Sequence, residues 1–190
     1  MKDPYAKLYD VTTIHDFRDI IKHRVKDFPQ NPVFLVKEKK GGEYKPISTE
    51  KYDHDIDSLG TYFTNTVEKG ARIAIFAETR YEWYTSYLAT TNGAGCVVPL
   101  DKELPDNEFE NCIKRSRASV IIYSPKMRDL VKKVVNKCET VKYCIEMYSD
   151  ESFDEKDHRF VGFNYVKDEA EYWKEEDYKV EITESTIGDF

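Results

Sequence analysis

Hydrophobic and polar positions follow a helical period at the start of the chain and then change to short apolar runs. Apolar residues recur every three or four positions over residues 13–28, and Thr13 with Asp16 resembles a capping box, so a helix is predicted there. Residues 33–36 and 44–47 predict two strands joined by a Gly41-Gly42 turn. The chain is therefore expected to open with a helix and a β-hairpin.

A second amphipathic helix follows the hairpin. Ser48 or Thr49 can serve as its N-cap, and Gly70 can end it in the left-handed conformation. Its apolar positions share one helical face and predict the buried stripe: Tyr52, Ile56, Leu59, Phe63 and Val67.

Beyond Gly70 the pattern alternates between apolar runs and helical stretches. The runs 72–77, 96–100 and 119–123 have the length and flanking breakers of buried parallel strands, and 141–147 alternates as a fourth strand. The intervening helices have recognisable starts: a Thr79/Glu82 capping box, Pro105-Asp106, and Ser124 as N-cap before Pro125. This order predicts an α/β fold of three layers, helix/sheet/helix, with a mainly parallel sheet.

The regular pattern weakens after Met147. Asp150 to Asp157 carries five carboxylates in eight residues and predicts a solvated loop, and residues 165–173 could form a short helix. We therefore expect an α/β unit over residues 1–147 and an acidic, weakly structured segment over residues 148–190.

Charge is distributed unevenly along a chain of net charge −7. Residues 146–189 hold 15 carboxylates and five basic residues, whereas residues 1–145 are near neutral. This argues against a nucleic-acid-binding surface. No apolar leader and no run long enough to span a bilayer is present, so a soluble cytoplasmic protein is expected.

The four cysteines and four histidines indicate no metal site, because CxxC pairs and zinc-ligand spacing are absent. Cys96 and Cys112 fall on predicted apolar faces, which predicts reduced core thiols. Cys138 and Cys144 could bridge in principle.

Glycine motifs of nucleotide sites are also missing. Gly93-Ala94-Gly95 follows a helix rather than a strand and lacks the GxGxxG spacing, so it predicts a helix end with close packing. Neither a GxxxxGK[ST] loop nor a GxSxG elbow occurs. Trp83 is expected in the core, and Arg80 and Glu82 on the surface.

Candidate ligand contacts lie where the predicted strands end. Asp101 and Glu103 follow one strand, at the sheet edge where open α/β sheets bind ligands. Lys126 and Arg128 follow another and lie in the first turn of a helix, which favours an anion such as phosphate. The alternative is that these residues and the other basic side chains between Lys114 and Lys137 are the solvated faces of two helices.

Taken in order, several segments resemble the opening of AMP-forming (adenylate-forming) acyl-CoA synthetases of the long-chain fatty acid–CoA ligase type. Residues 72–75 with Glu78-Thr79-Arg80-Tyr81-Glu82-Trp83 resemble the first core strand and helix of that family. Residues 92–101 (NGAGCVVPLD) resemble its G-A-x-x-V-P-L step, and residues 113–123 resemble the next helix and strand. The likeness covers residues 12–147.

The resemblance implies activation of a fatty acid with ATP and Mg²⁺ to an acyl-adenylate, followed by transfer of the acyl group to CoA. The family's Thr/Ser/Gly-rich phosphate loop does not occur in these 190 residues. The chain is therefore expected to be an inactive N-terminal part that binds no cofactor tightly. No catalytic residue is assigned. By the same resemblance, Asp101 and Lys102 are expected on the pantetheine path, and Lys126 and Arg128 at the CoA 3′-phosphate.

Two other hypotheses remain at this point: a standalone module of the same fold that binds CoA or a partner without catalysis, and an unrelated Rossmann-like domain. If the chain is a part of a larger enzyme, its partner is the remainder of that polypeptide. Without that remainder, the apolar surface that it would cover is exposed and would favour self-association. Acyl chain length cannot be read from these residues.

Overall fold

The computed structural model describes residues 12–37 and 41–175. Helix α1 (Phe17–Asp27) begins four residues later than the predicted start. Asp16, not Thr13, is its N-cap: the Asp16 carboxylate accepts from the Asp19 backbone N–H at 3.0 Å, and Asp19 accepts from the His15 N–H at 2.8 Å. The capping prediction was wrong because aspartate and threonine are both favoured N-caps, so residue type alone does not choose between Asp16 and Thr13.

The predicted hairpin and second helix are present. Strands β1 (Pro32–Val36) and β2 (Lys45–Ser48) pair antiparallel, and helix α2 (Thr49–Thr66) follows directly. Ser48 caps α2 through a hydrogen bond from the Lys51 backbone N–H, and the predicted stripe is buried. Gly70 has a positive φ, as predicted, with a value of 75°. It does not end the helix directly, because the C-cap of α2 is Val67 and Gly70 lies in the turn that follows.

Five strands form a fully parallel sheet in the order β4-β3-β5-β6-β7, which confirms the predicted α/β class. The strands are β3 (Ala71–Phe76), β4 (Gly95–Leu100), β5 (Val120–Tyr123), β6 (Tyr143–Glu146) and β7 (Phe160–Gly162).

Helices cover both faces of this sheet and give the predicted three layers. Helices α1, α2, α3 (Tyr81–Ala89) and α6 (Phe163–Glu175) pack on one face together with the hairpin. Helices α4 (Asp106–Ser116) and α5 (Arg128–Val135) pack on the other. None of the helices in the described residues combines the length and hydrophobicity that crossing a bilayer requires.

Strand β7 and helix α6 lie within residues 148–190, the segment for which the sequence predicts weak structure. Phe160 and Val161 are buried, and Trp173 of α6 stacks on Tyr62 of α2 at 5.5 Å between ring centroids. Residues 150–157 are irregular and mostly exposed, as predicted. The last 15 residues lie outside the described part of the chain.

Three local predictions were wrong. Helix α3 begins after Arg80, whose side chain makes no capping hydrogen bond, so the Thr79/Glu82 box does not form. Ser124 stands at the N-cap position before Pro125 but makes no side-chain capping bond, because a 3₁₀ turn over Pro125–Met127 precedes α5. Cys96 is exposed rather than buried, because β4 is an edge strand; Cys138 and Cys144 are buried free thiols.

The Gly93-Ala94-Gly95 cluster ends a helix and allows close packing, as predicted. A π-helical turn (Thr90–Ala94) continues α3, and Gly93 leaves it with a φ of 118°. Gly95 is extended, yet a Cβ there would overlap the carbonyl oxygen of Ala71 on the neighbouring strand. Glycine is therefore needed at position 95 because it lets β3 and β4 approach closely, and not because the backbone there is left-handed.

Candidate functional site: the carboxyl edge of the sheet

The predicted site residues lie at the carboxyl edge of the parallel sheet, where crossovers leave room for ligands. Glu78 follows β3, Asp101 and Lys102 follow β4, and Lys126 follows β5. Because β3 lies between β4 and β5, the two predicted pairs stand on opposite sides of Glu78. No ion pair or hydrogen bond within the described ranges joins one pair to the other.

Lys126 pairs with the carboxylate of Glu78, which was not among the predicted site residues. Its Nζ donates to Glu78 Oε1 at 3.0 Å, and the lysine side chain is 79% exposed. Burial is the largest single effect and would raise the pKa of Glu78, but the hydrogen bond from Lys126, a backbone hydrogen bond and the Lys126 charge together lower that pKa to about 2. An incoming anion must therefore compete with Glu78 for the Lys126 ammonium.

Arg128 is held more firmly than Lys126. Its Nε and Nη2 donate to the two carboxylate oxygens of Glu146 at 2.5 and 2.8 Å, and Nη2 also donates to Glu151 at 3.1 Å. The hydrogen bond to Glu146 is the main reason that the Arg128 pKa is raised. Glu146 is buried at the end of β6, so the fork-to-fork pair joins α5 to the sheet.

Asp101 and Lys102 have local roles in the connection between β4 and α4. The Asp101 carboxylate accepts from the Glu103 backbone N–H at 2.9 Å, and its carbonyl accepts from the Leu104 N–H, which forms a side-chain-stabilised turn. Lys102 pairs with Glu103 at 3.4 Å on the surface. Both side chains face solvent and remain accessible to a ligand.

Other basic residues between Lys114 and Lys137 also have carboxylate partners. Lys114 and Lys137 both pair with Glu110, at 2.6 and 2.7 Å. Lys133 pairs with Asp106 at 3.0 Å, and Lys132 with Asp154 at 3.2 Å. These four side chains therefore agree with the alternative prediction, in which the basic residues form the solvated faces of two helices.

One group in the described residues has the donor types of a cation site: His54, Asp55 and Glu171. It does not fit Mg²⁺, because the Asp55 carboxylate already accepts from the Lys51 ammonium at 2.6 Å and the Lys167 ammonium at 3.2 Å. A divalent cation would have to replace two ammonium groups around one carboxylate.

A groove of about 500 Å³ beside this edge was not predicted from the sequence. It lies between β1 of the hairpin and the loop that connects β3 with α3. Residues 79–82 form one wall, and the hairpin that forms the opposite wall is distant in sequence, so no local pattern indicated the groove. Trp83 is half-buried against the core, and Arg80 is exposed, as predicted, whereas Glu82 is half-buried.

Comparison with solved structures shows a shared fold. The anthranilate CoA ligase AuaEII in complex with anthranoyl-AMP matches at 13% identity with a TM-score of 0.72, over 93% of this chain and 31% of that chain. A protein provisionally named a long-chain-fatty-acid CoA ligase from Rhodopseudomonas palustris matches at 21% identity and a TM-score of 0.67, over 81% and 37%. Coronafacic acid ligase from Pectobacterium brasiliense matches at 18% identity and a TM-score of 0.68, over 80% and 29%.

The chain thus spans about a third of the length of these solved structures. Comparison with curated protein sequences finds no match. The sequence profile of the AMP-binding enzyme family matches residues 21–180, which is most of the chain. The chain therefore belongs to the AMP-binding enzyme family.

Proposed function

We propose that the chain is the N-terminal part of an AMP-forming fatty acyl-CoA ligase. That enzyme would use ATP and Mg²⁺ to convert a fatty acid to an acyl-adenylate, and would then transfer the acyl group to CoA. The family match over residues 21–180 carries the proposal. The shared fold supports it, and the matching structures described above are all named as ligases. One of those names specifies a long-chain fatty acid as the substrate.

The 190 residues alone are proposed to be inactive. Acyl-adenylate formation requires groups that align the ATP phosphates and neutralise their developing charge. At the carboxyl edge, Lys126 and Arg128 are the cations closest to such a role, and carboxylates already engage both. The remaining electrostatic groups would come from the rest of the polypeptide.

A pyrophosphate-exchange assay tests this proposal. The purified 190-residue chain, given ATP, Mg²⁺ and a fatty acid, is expected to show no acid-dependent exchange of pyrophosphate into ATP. The complete polypeptide is expected to show it with long-chain acids in preference to anthranilate. Exchange catalysed by the 190 residues alone would contradict the proposed inactivity, and preference for an aryl acid would contradict the proposed substrate.

A standalone module that binds CoA or a partner without catalysis is the alternative. The gene distinguishes the two: an open reading frame that continues into a Thr/Ser/Gly-rich loop supports the ligase, and a stop codon after Phe190 supports the module.

We further propose that Asp101, Lys102, Lys126 and Arg128 line the CoA path. Lys126 provides the cleaner test, because its side chain is exposed and Arg128 also holds the buried Glu146. In the complete enzyme, Lys126→Ala is expected to raise the KM for CoA and to leave adenylation unchanged. Lys133→Ala, an exposed lysine of α5 paired with Asp106, is the matched control. Equal CoA KM values in both variants would refute this role for Lys126.

A further inference from the structure

The groove beside the carboxyl edge concentrates apolar surface that the core does not use. We name it the hairpin groove; its lining includes Leu35, Lys37, Tyr44, Arg80, Tyr84 and Tyr148. Four of these are large apolar side chains exposed to solvent, with Leu35 at 61% and Tyr44 at 63%. Exposed apolar residues gathered at one place on a folded surface usually mark a binding site.

Among the described residues, two cations stand at the groove, and each lies over an aromatic ring. The Arg80 guanidinium lies 4.0 Å from the ring centroid of Tyr148, and Lys37 Nζ lies 4.2 Å from that of Tyr44. Neither cation forms an ion pair with a carboxylate in the described part of the chain. Most other lysines and arginines near the sheet edge do form such pairs, whereas Arg80 is attracted by Glu82 without direct contact. Both cations are therefore accessible to an external anion.

The groove's size and position also suit a small ligand. Its volume of about 500 Å³ lies within the range of roughly 300–1,000 Å³ that holds ligands of moderate size. It opens where β3 ends, the edge of a parallel sheet that commonly receives ligands. Glu82 is the one acidic residue among the described residues that line it, and burial raises the pKa of that carboxyl group.

We propose that the hairpin groove binds an amphipathic carboxylate: an acyl chain along the apolar wall, with its head group at Arg80 and Lys37. The apolar wall provides the hydrophobic contact, and guanidinium is the side chain best suited to a carboxylate. An acyl carboxylate fits this combination better than a nucleoside triphosphate, because three phosphates would require more cations than the two that the described residues place at the groove. The biological role of the groove rests on the proposed function: it would bind the fatty acid substrate before the reaction.

Calorimetric titration of the 190-residue chain with decanoate tests the inference without catalysis. Decanoate is expected to bind, while acetate, which has only the head group, and 1-decanol, which has only the chain, are expected to bind at least about tenfold more weakly. Arg80→Gln is expected to weaken decanoate binding about tenfold, because it removes a charge-assisted hydrogen bond. Tyr84→Ser should weaken it through lost apolar contact.

Matched variants elsewhere on the surface serve as controls. Arg115→Gln on α4 and Tyr172→Ser on α6 change exposed residues of the same types away from the groove, and should leave decanoate affinity within about twofold of the unmodified chain. Circular dichroism would verify that each variant is folded.

The inference is overturned if decanoate does not bind, if Arg80→Gln binds it as tightly as Arg115→Gln does, or if 1-decanol binds as tightly as decanoate. Binding of ATP or CoA that Arg80→Gln abolishes, without decanoate binding, would assign the groove to nucleotides instead. Because no outcome depends on turnover, the groove and the proposed ligase activity can fail independently.

Discussion

At the scale of single residues, Asp55 is a polar side chain that several helices hold in place. It is buried in α2 and accepts hydrogen bonds from three groups: the Tyr81 hydroxyl at 2.5 Å, Lys51 Nζ at 2.6 Å and Lys167 Nζ at 3.2 Å. These donors belong to α2, α3 and α6, so one carboxylate connects three helices on the same face of the sheet. Nothing in the helical pattern of α2 distinguishes Asp55 from its half-buried neighbours Asp53 and Asp57.

Replacing Asp55 with Asn is expected to destabilise the chain by about 3 kcal/mol at pH 7, because Lys167, whose side chain is only 12% exposed, would lose this counter-charge. Burial alone would raise the Asp55 pKa, but Lys167, Lys51 and Tyr81 together lower it. A lowered pKa means that the ionised carboxylate stabilises the fold above its unfolded pKa of about 3.9, and that this stability is lost as the pH falls through the folded value.

Urea unfolding at several pH values measures this effect. The difference between wild type and Asp55→Asn should be largest above about pH 5 and should shrink below about pH 4. Asp57→Asn is the control, since Asp57 pairs with the exposed Lys22 and its loss should cost at most about 1 kcal/mol. Equal losses for the two variants, or a difference that grows toward acid pH, would show that Asp55 does not act as described.

At the scale of elements, the contact between β3 and β4 depends on one glycine. Gly95 pairs with Ala71 at the start of both strands, and the Ala71 carbonyl occupies the space that a Cβ would need. The obstacle is backbone, which cannot rotate away as a long side chain can. Strand β4 is also an edge strand, and Pro99 within it is compatible with that position because one side of the strand lacks a partner.

Gly95→Ala is expected to destabilise the chain by about 3 kcal/mol, because the strands must separate locally to admit a methyl group. Gly60→Ala in α2 is the matched control. Its Cβ would be 3.5 Å from the nearest atom, the Ala89 carbonyl oxygen, and alanine favours the helix, so stability should stay within about 1 kcal/mol of wild type. Thermal unfolding of both variants tests the difference, and a Gly95→Ala chain as stable as Gly60→Ala would argue against the close strand contact.

At the scale of the whole molecule, the sheet is held at its carboxyl edge by pairs between distant segments. Arg128 joins α5 to Glu146 of β6 and to Glu151 in the following loop, and Lys126 joins the end of β5 to Glu78 after β3. The first pair has a buried acceptor, and the second is solvated. We therefore expect their contributions to stability to differ.

Arg128→Met should destabilise the chain by about 2 kcal/mol, because Glu146 stays buried and loses its counter-charge; partial exposure of Arg128 keeps the loss below that of a fully buried pair. Lys126→Met should cost at most about 1 kcal/mol. Chemical unfolding at neutral pH compares them, and similar losses in the two variants would contradict the difference in burial.

The sequence alone determined the succession of elements, since helical and strand periods are local properties. The hairpin, the stripe of α2 and the runs that became β3 to β6 could be identified from neighbouring residues, and so could the helix end at Gly93. The same order of motifs indicated the family. The short β7 was missed because three apolar residues after an acidic loop carry too little periodicity.

Only the tertiary structure decided which distant residues meet. Strand order placed Glu78 between the two predicted pairs and gave Lys126 and Arg128 their carboxylate partners. It also exposed Cys96 on an edge strand. The hairpin groove needs β1, the β3–α3 loop and Tyr148 together, and residues so far apart in sequence meet only through chain folding. The physical reason is that periodicity reports which face of an element is buried, whereas contacts between elements depend on packing that no local pattern encodes.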